Sequence, residues 1–136
     1  MSSDSITLSG NQTAMPVATV AAFVTGIALV VKVVLILATS NAAPGAATGA
    51  LYVIGVFTPV VVAVDVARRR ASLGAKFAVG VGIVFAHLFY VTMLSDAVEA
   101  LVAPFTTTAY VLDEVPIMVL GVVWLIVGVK LLRRDS

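Results

Sequence analysis

Residues 14–39, AMPVATVAAFVTGIALVVKVVLILAT, decide the class of this protein. Within them only Lys32 is charged, and the stretch exceeds the roughly 20 apolar residues that a helix needs to cross a membrane. Over the whole chain of 136 residues, 61% are hydrophobic and 11% are charged, whereas about 25% are charged in soluble domains. The mean hydropathy is +1.15. This composition predicts an integral membrane protein.

Three further stretches are long and apolar enough to span the membrane, at about residues 48–67, 75–95 and 115–132. Each is continuous, whereas strands of a membrane barrel alternate in polarity over about ten residues. The predicted fold is therefore all-α: a polytopic bundle of four transmembrane helices with short loops. The four spans form one domain over residues 14–134, between a polar N-terminal segment (1–13), which we expect to be mobile, and a short tail (135–136).

The basic residues predict how the bundle is oriented. Seven of the eight lie in the 68–76 loop or near the C-terminus, and none lies in the 40–48 turn or in residues 96–114. They form a basic face that consists of Arg68, Arg69, Arg70, Lys76, Lys130, Arg133 and Arg134. The positive-inside rule places this face and both termini on the cytoplasmic side, or in the lumen of a virion budded from such a membrane. Anionic headgroups attract basic residues near the membrane surface by about 1 kcal/mol each.

Lys32 is a candidate for function, because a charged group at membrane depth is energetically costly. It can extend towards the interface, or it can form an ion pair with an acid of residues 96–114, where Asp113 and Glu114 lie nearest to the fourth span. A role in ion or substrate transport, or a contact with a partner subunit, is the functional alternative. Asp65 is expected to pair locally with Arg68 and Arg69, three and four residues further along a helix.

His87 is the only histidine and lies well inside the third predicted span. We expect it to form hydrogen bonds within the bundle or to line a small polar pocket, and a proton relay is the alternative. Asp96 and Glu99 follow at about 180° and 120° around the helix, so the acid for such a relay would have to come from another helix. Trp124, near the middle of the fourth span, is expected to pack against a neighbouring helix.

Asp113 and Glu114 come directly before Val115 and Pro116 at the predicted start of the fourth span. Acidic residues and a proline are favoured at the first turn of a helix. This pattern predicts that Asp113 and Glu114 are capping residues.

Small residues recur at intervals of four along the first span, at Ala14, Ala18, Ala22 and Gly26. Such a stripe allows another helix to approach closely, either within the bundle or in a homo-oligomer. In the second span, Pro59 lacks the N–H that would bond to the carbonyl of Gly55. A kink is therefore predicted at Gly55 and Pro59.

Several functions are not supported by the residues present. The chain has no cysteine and one histidine, so we expect no cofactor and no metal site. The serine, threonine and carboxylate residues lack the spacing of a catalytic group, which predicts that the chain is not an enzyme. A net charge of +1 provides no large field for specific nucleic-acid binding.

In size, four-span layout and near-absence of extramembrane parts, the chain resembles the small envelope proteins of haloarchaeal pleomorphic viruses. The resemblance implies a structural protein of a virion membrane with its soluble parts facing inward. The favoured function is a structural or scaffolding component of a cell membrane or viral envelope, with anionic lipid or an inner partner against the basic face. The alternatives are an oligomeric conductor of ions, protons or small solutes, and a hydrophobic accessory subunit of a larger membrane complex.

Overall fold

A computed structural model describes residues 16–135 of the chain. It contains five α-helices: α1 (Val17–Ala38), α2 (Gly45–Arg68), α3 (Leu73–Phe89), α4 (Ser95–Val102) and α5 (Ala109–Asp135). A π-helical turn at Tyr90–Leu94 joins α3 to α4, and a 3-10 turn follows at Ala103–Phe105. The predicted N-terminal segment (1–13), Ala14 of the small-residue stripe, and Ser136 of the tail lie outside the described residues.

Four helical segments are long and apolar enough to cross a membrane, which confirms the predicted all-α fold with four candidate spans. They are α1, α2, α5 to Arg134, and the continuous segment Leu73–Phe105, which we call the third span. The third span contains 33 residues. At 1.5 Å per residue it is about 50 Å long, more than the roughly 30 Å of a hydrocarbon core.

The third and fourth spans are longer than the sequence predicts. Helical structure continues past the predicted span end at residue 95 to Phe105, and it resumes at Ala109, before the predicted span start at residue 115. Charged side chains lower the hydropathy of residues 96–114, but they do not interrupt backbone hydrogen bonds. The break comes only at Thr106–Thr108, after Pro104.

The capping role predicted for Asp113 and Glu114 is also wrong. The helix begins four residues before Asp113, and the N–H groups of Val111 and Leu112 both donate to the carbonyl of Thr108 at 3.1 Å. Asp113 and Glu114 therefore lie inside α5, as does Pro116.

Residues with local capping preferences explain where α1 ends and where α3 begins. Ser40 and Asn41 have φ angles of 51° and 69°, and the Asn41 N–H donates to the Ile36 carbonyl at 2.7 Å. This left-handed pair ends α1, and asparagine tolerates such a conformation better than most residues. At the start of α3, the Ser72 hydroxyl accepts a hydrogen bond from the Ala75 N–H at 3.1 Å.

Helix α1 is the centre of the bundle, with α2 and α5 packed against it and the third span against α2. Half of the residues in the apolar 18-residue stretch of α1 are buried, compared with 6% of those in the corresponding stretch of the third span. In the small-residue stripe, Ala18 and Ala22 are buried in the core. The described part of the stripe thus packs within the bundle.

Glycines set the close approach between α1 and α5. A Cβ atom on Gly26 would lie 2.6 Å from Leu125 Cγ and 2.8 Å from the carbonyl oxygen of Gly121. A Cβ on Gly128 would lie 3.1 Å from the ring of Phe23. These separations leave no room for a methyl group unless the helices move apart.

Gly55 has a packing role that the sequence did not indicate. A Cβ atom on this residue would overlap the side chain of Leu29, which is fully buried between α1 and α2. Pro59 is buried as well, and α2 continues as a helix through it to Arg68. The bend at Pro59 stays a prediction.

Candidate functional site

The buried polar side chains form the candidate site. They are Thr19, Thr25, Lys32, Asp65, His87 and Glu114. We call the end of the bundle with Arg70 and Arg134 the basic end, and the opposite end, with Glu99 and Asp113, the acidic end.

Lys32 forms a buried ion pair with Glu114. Its Nζ atom lies 2.8 Å from each of the two carboxylate oxygens, and the two side chains are only 10% and 9% exposed. The Nζ atom also lies 5.4 Å from the centre of the Tyr52 ring, within range of a cation–π interaction. Of the partners left open by the sequence, Glu114 is the one that pairs with Lys32, whereas Asp113 is exposed.

Helix geometry explains the choice of Glu114. Gly26 of α1 faces Gly121 of α5. Lys32 lies six residues after Gly26, and Glu114 lies seven residues before Gly121. In antiparallel helices these offsets carry both residues about 9–10.5 Å in the same direction along the bundle. Glu114 stays within about 20° of the face of Gly121, and Lys32 lies about 120° round α1 from Gly26. Asp113 is about 100° further round the helix, away from α1.

His87 connects three spans through both of its ring nitrogens. The indole N–H of Trp124 in α5 donates to Nδ1 at 3.2 Å, and Nε2 lies 3.2 Å from the carbonyl oxygen of Val56 in α2. Because an indole nitrogen can only donate, Nδ1 is the acceptor and Nε2 carries the proton. The neutral imidazole is thus fully satisfied, and a proton added at Nδ1 would face the indole N–H.

The rings of His87 and Trp124 meet edge to face, with centroids 5.7 Å apart. Tyr90, at the start of the π-helical turn, donates its hydroxyl to the Pro116 carbonyl at 2.7 Å. These contacts join the third span to α5. The sequence indicated the types of residue involved but not which of them would meet.

Asp65 has the local ion pairs that the sequence predicts and one long-range contact. Its carboxylate lies 2.5 Å from Nη2 of Arg68 and 2.9 Å from Nη2 of Arg69. It also accepts a hydrogen bond at 2.8 Å from the backbone N–H of Ala18. That N–H belongs to the first turn of α1, where no helical acceptor is available. Asp65 therefore caps α1 from α2.

Thr25 of α1 and Thr58 of α2 also meet through their hydroxyl groups. Thr25 bonds to the Ala21 carbonyl at 2.8 Å and Thr58 to the Ile54 carbonyl at 2.6 Å. Among the residues that the structure describes, every fully buried side-chain nitrogen or oxygen has a hydrogen-bond partner. The polar groups of the bundle interior thus satisfy one another.

Charged side chains line several cavities around this interior. One of about 350 Å³ is lined by Lys32, Thr48 and Tyr52 together with apolar residues and glycines. At the acidic end, a cavity of about 130 Å³ is lined by Tyr52, Tyr90, Ser95, Glu99 and Asp113 together with apolar side chains. At the basic end, a cavity of about 240 Å³ is lined by Ala18, Val66, Arg69, Arg70, Leu131 and Arg134. The two lysines of the predicted basic face lie outside this cavity. Lys76 lines a separate apolar cleft of about 530 Å³ between α2 and α3, and Lys130 lies one turn before Arg134.

Within residues 16–135, no three His, Asp or Glu side chains lie close enough together to hold a metal ion. Compared with known protein families, curated proteins and solved structures, the chain has no significant match. The case for a function therefore rests on the geometry of the bundle.

Proposed function

We propose that the chain is a non-enzymatic structural or scaffolding component of a membrane, such as a cell membrane or a viral envelope derived from it. The observation that carries the proposal is the closed ion pair between Lys32 and Glu114. A conducted ion or a substrate needs groups that can exchange partners. Here the ammonium and the carboxylate neutralise each other with only 10% and 9% of their side chains exposed, and His87 has a partner on each nitrogen.

In the proposed orientation the basic end faces the cytoplasm or the virion lumen, against anionic lipid or an inner partner. Because the chain has no cysteine, single-cysteine variants test this orientation. In sealed cells or virions, a cysteine in place of Ser72 at the basic end should resist an impermeant maleimide. A cysteine in place of Thr107 at the acidic end should react and serves as the matched control. The reverse pattern would contradict the orientation.

The structural role is tested by measuring flux in proteoliposomes. We expect no flux of protons, K⁺ or Cl⁻ above that of protein-free vesicles. A protonophore added at the end verifies that the vesicles are sealed. Flux that is present in the wild type and absent in Glu114→Gln would show that the protein is a conductor.

The cavity at the acidic end favours a conductor as the second candidate. Glu99 and Asp113 line it, and Tyr52 joins it to the Lys32 ion pair. A homo-oligomer or an accessory subunit is favoured instead by the third span, whose apolar side chains are mostly exposed. Native mass spectrometry with native lipids retained separates these cases. A monomer supports the structural proposal, and a closed ring or one fixed partner supports an alternative.

A further inference from the structure

The cavity of about 240 Å³ at the basic end lies between the ends of three spans. Its walls come from the first turn of α1, from the last turn of α2 and the two residues after it, and from the last turns of α5. Arginine provides three of its six lining residues, namely Arg69, Arg70 and Arg134, and the other three are apolar. The cavity has the liquid volume of about eight water molecules, which is large enough for a polar group bigger than a single ion.

Among the residues that the structure describes, no acidic side chain balances the charge of Arg70 and Arg134 in this cavity. Asp65 pairs with Arg68 and Arg69, and no acidic side chain lines the cavity. Arg70 and Arg134 form no salt bridge with the side chains that the structure describes. An anion that entered the cavity would therefore meet guanidinium groups that Asp65 does not neutralise.

The position of the cavity indicates which anion it would hold. It lies where the apolar spans give way to charged residues, and in a bilayer that covers the spans the lipid headgroups would lie at this level. A guanidinium group offers a planar pair of donors that matches two phosphate oxygens, so arginine is well suited to this ligand. Ala18, Val66 and Leu131 present apolar surface beside the arginines, where the glycerol and the first methylene groups of a lipid would lie.

We propose that this cavity binds the phosphate headgroup of an anionic phospholipid. The inference rests on the proposed structural role and names the site at which that role engages the membrane. It differs from a diffuse attraction of the basic face, because Arg70 and Arg134 should contribute far more than the other basic residues at the same end.

The test is a native mass spectrometry titration of the full chain in detergent with phosphatidylglycerol or phosphatidylcholine of identical acyl chains. We expect the wild type to bind phosphatidylglycerol about tenfold more tightly than phosphatidylcholine. The Arg70→Gln/Arg134→Gln variant should lose about tenfold in affinity for phosphatidylglycerol. The matched control, Lys76→Gln/Lys130→Gln, removes the same charge outside the cavity and should stay within about twofold of the wild type.

Three outcomes would overturn the proposal. Equal weakening in the two variants would show diffuse surface attraction. Displacement of the lipid by inorganic phosphate at similar concentrations would show a site for a soluble anion. Binding that appears only after residues 2–13 are deleted would identify the chain's own N-terminal segment as the occupant.

A further variant guards against misfolding. Arg70→Lys/Arg134→Lys keeps both charges but loses the paired donors, so it should retain the wild-type unfolding temperature and lose several-fold in affinity. If it binds like the wild type, the paired guanidinium contact is wrong. The flux measurement is independent of these titrations, so failure of the lipid site and failure of the structural proposal can be told apart.

Discussion

Helix α1 and the third span are both strongly apolar, yet they are held in the bundle in different ways. In α1, half of the residues of its apolar 18-residue stretch are buried. This helix lies against α5 at Gly26 and contributes Lys32 to a buried ion pair. In the third span, 6% of the residues of the corresponding stretch are buried, and the span is joined to α5 through contacts that include those of His87 and Tyr90. Apolar composition therefore places a helix in the membrane but does not place it in the centre of a bundle.

The reason is that lipid tails solvate apolar side chains as well as another helix does. Association in the membrane depends on close packing of small residues and on polar groups that need a partner. Helix α1 contributes several small residues and several buried polar groups. The third span reaches α5 through His87, Tyr90 and Glu99, whose carboxyl group contacts Asp113. Variants of each region should differ accordingly in the free energy of unfolding.

The largest effect is expected at the ion pair of α1. Glu114→Ala leaves the Lys32 ammonium buried without a partner and should lower the free energy of unfolding by about 3–5 kcal/mol. The measurement is reversible unfolding in mixed micelles, followed by the fluorescence of Trp124, the only tryptophan. Lys32→Met/Glu114→Met should recover most of the loss, because no buried charge remains.

Asp113→Asn is the control for this variant, since it changes an exposed acid next to Glu114 that contacts Glu99 and not Lys32, and it should lower the free energy of unfolding by less than about 1 kcal/mol. A loss of less than about 1 kcal/mol in Glu114→Ala would show that the pair is open to solvent. The contrast between α1 and the third span would then rest on packing alone.

The next largest effect is expected at the α1–α5 contact. A methyl group in Gly26→Ala would lie 2.8 Å from a backbone oxygen of Gly121, which cannot move without the helix. We expect a loss of about 1–3 kcal/mol in the same unfolding measurement. Gly82→Ala in the third span is the matched control, with no atom within 4 Å, and should change stability by less than about 0.5 kcal/mol. Equal losses of stability in the two variants would show that the α1–α5 contact is no more closely packed than the surroundings of Gly82 in the third span.

A smaller effect is expected where the third span is joined to the bundle. His87→Leu removes the bonds to Trp124 and Val56 and should cost about 0.6–1.7 kcal/mol, because hydrogen bonds between membrane helices contribute about 0.6 kcal/mol on average and about 1.7 kcal/mol at most in double-mutant cycles. Amide hydrogen exchange should quicken in residues 73–105 and stay unchanged in α1. A double-mutant cycle with Trp124→Phe isolates the shared bond, and additive effects would contradict a direct contact.

The smallest effect is expected on the outer face of the third span. Phe85 is 70% exposed, so Phe85→Ala should change the unfolding free energy by less than about 0.5 kcal/mol. The oligomeric state is measured alongside by native mass spectrometry. A large loss of stability accompanied by dissociation would show that this face packs against another chain, which would make the third span as buried as α1.

The sequence predicted the local contacts of the bundle better than the distant ones. The pairing of Asp65 with Arg68 and Arg69 depends only on the spacing of residues along one helix. The bond from Ala18 to Asp65 joins residues 47 apart, and the ion pair of Lys32 with Glu114 joins residues 82 apart. Those two contacts depend on how the helices align, for which the sequence offered several partners and no means of choosing.

The difference between the predicted span ends and the observed helix ends has a related cause. Hydropathy falls at Asp96, Glu99, Asp113 and Glu114, and this fall predicts the end of an apolar span. Backbone hydrogen bonding continues through those residues and stops only at Thr106–Thr108. Hydropathy reports where a helix prefers to lie, whereas proline and other breakers determine where it ends.

The sequence by itself determined that the chain has four apolar stretches long enough to span a membrane as helices, and that its positive charge gathers at one end. Those properties depend on the transfer of side chains into lipid and on backbone groups that must be satisfied within each helix. Only the tertiary structure decided that Glu114 neutralises Lys32, that Trp124 and Val56 share His87, and that Arg70 and Arg134 line one cavity. Lipid provides no apolar force to select one helix alignment, so the glycine contacts and the buried polar pairs select it together.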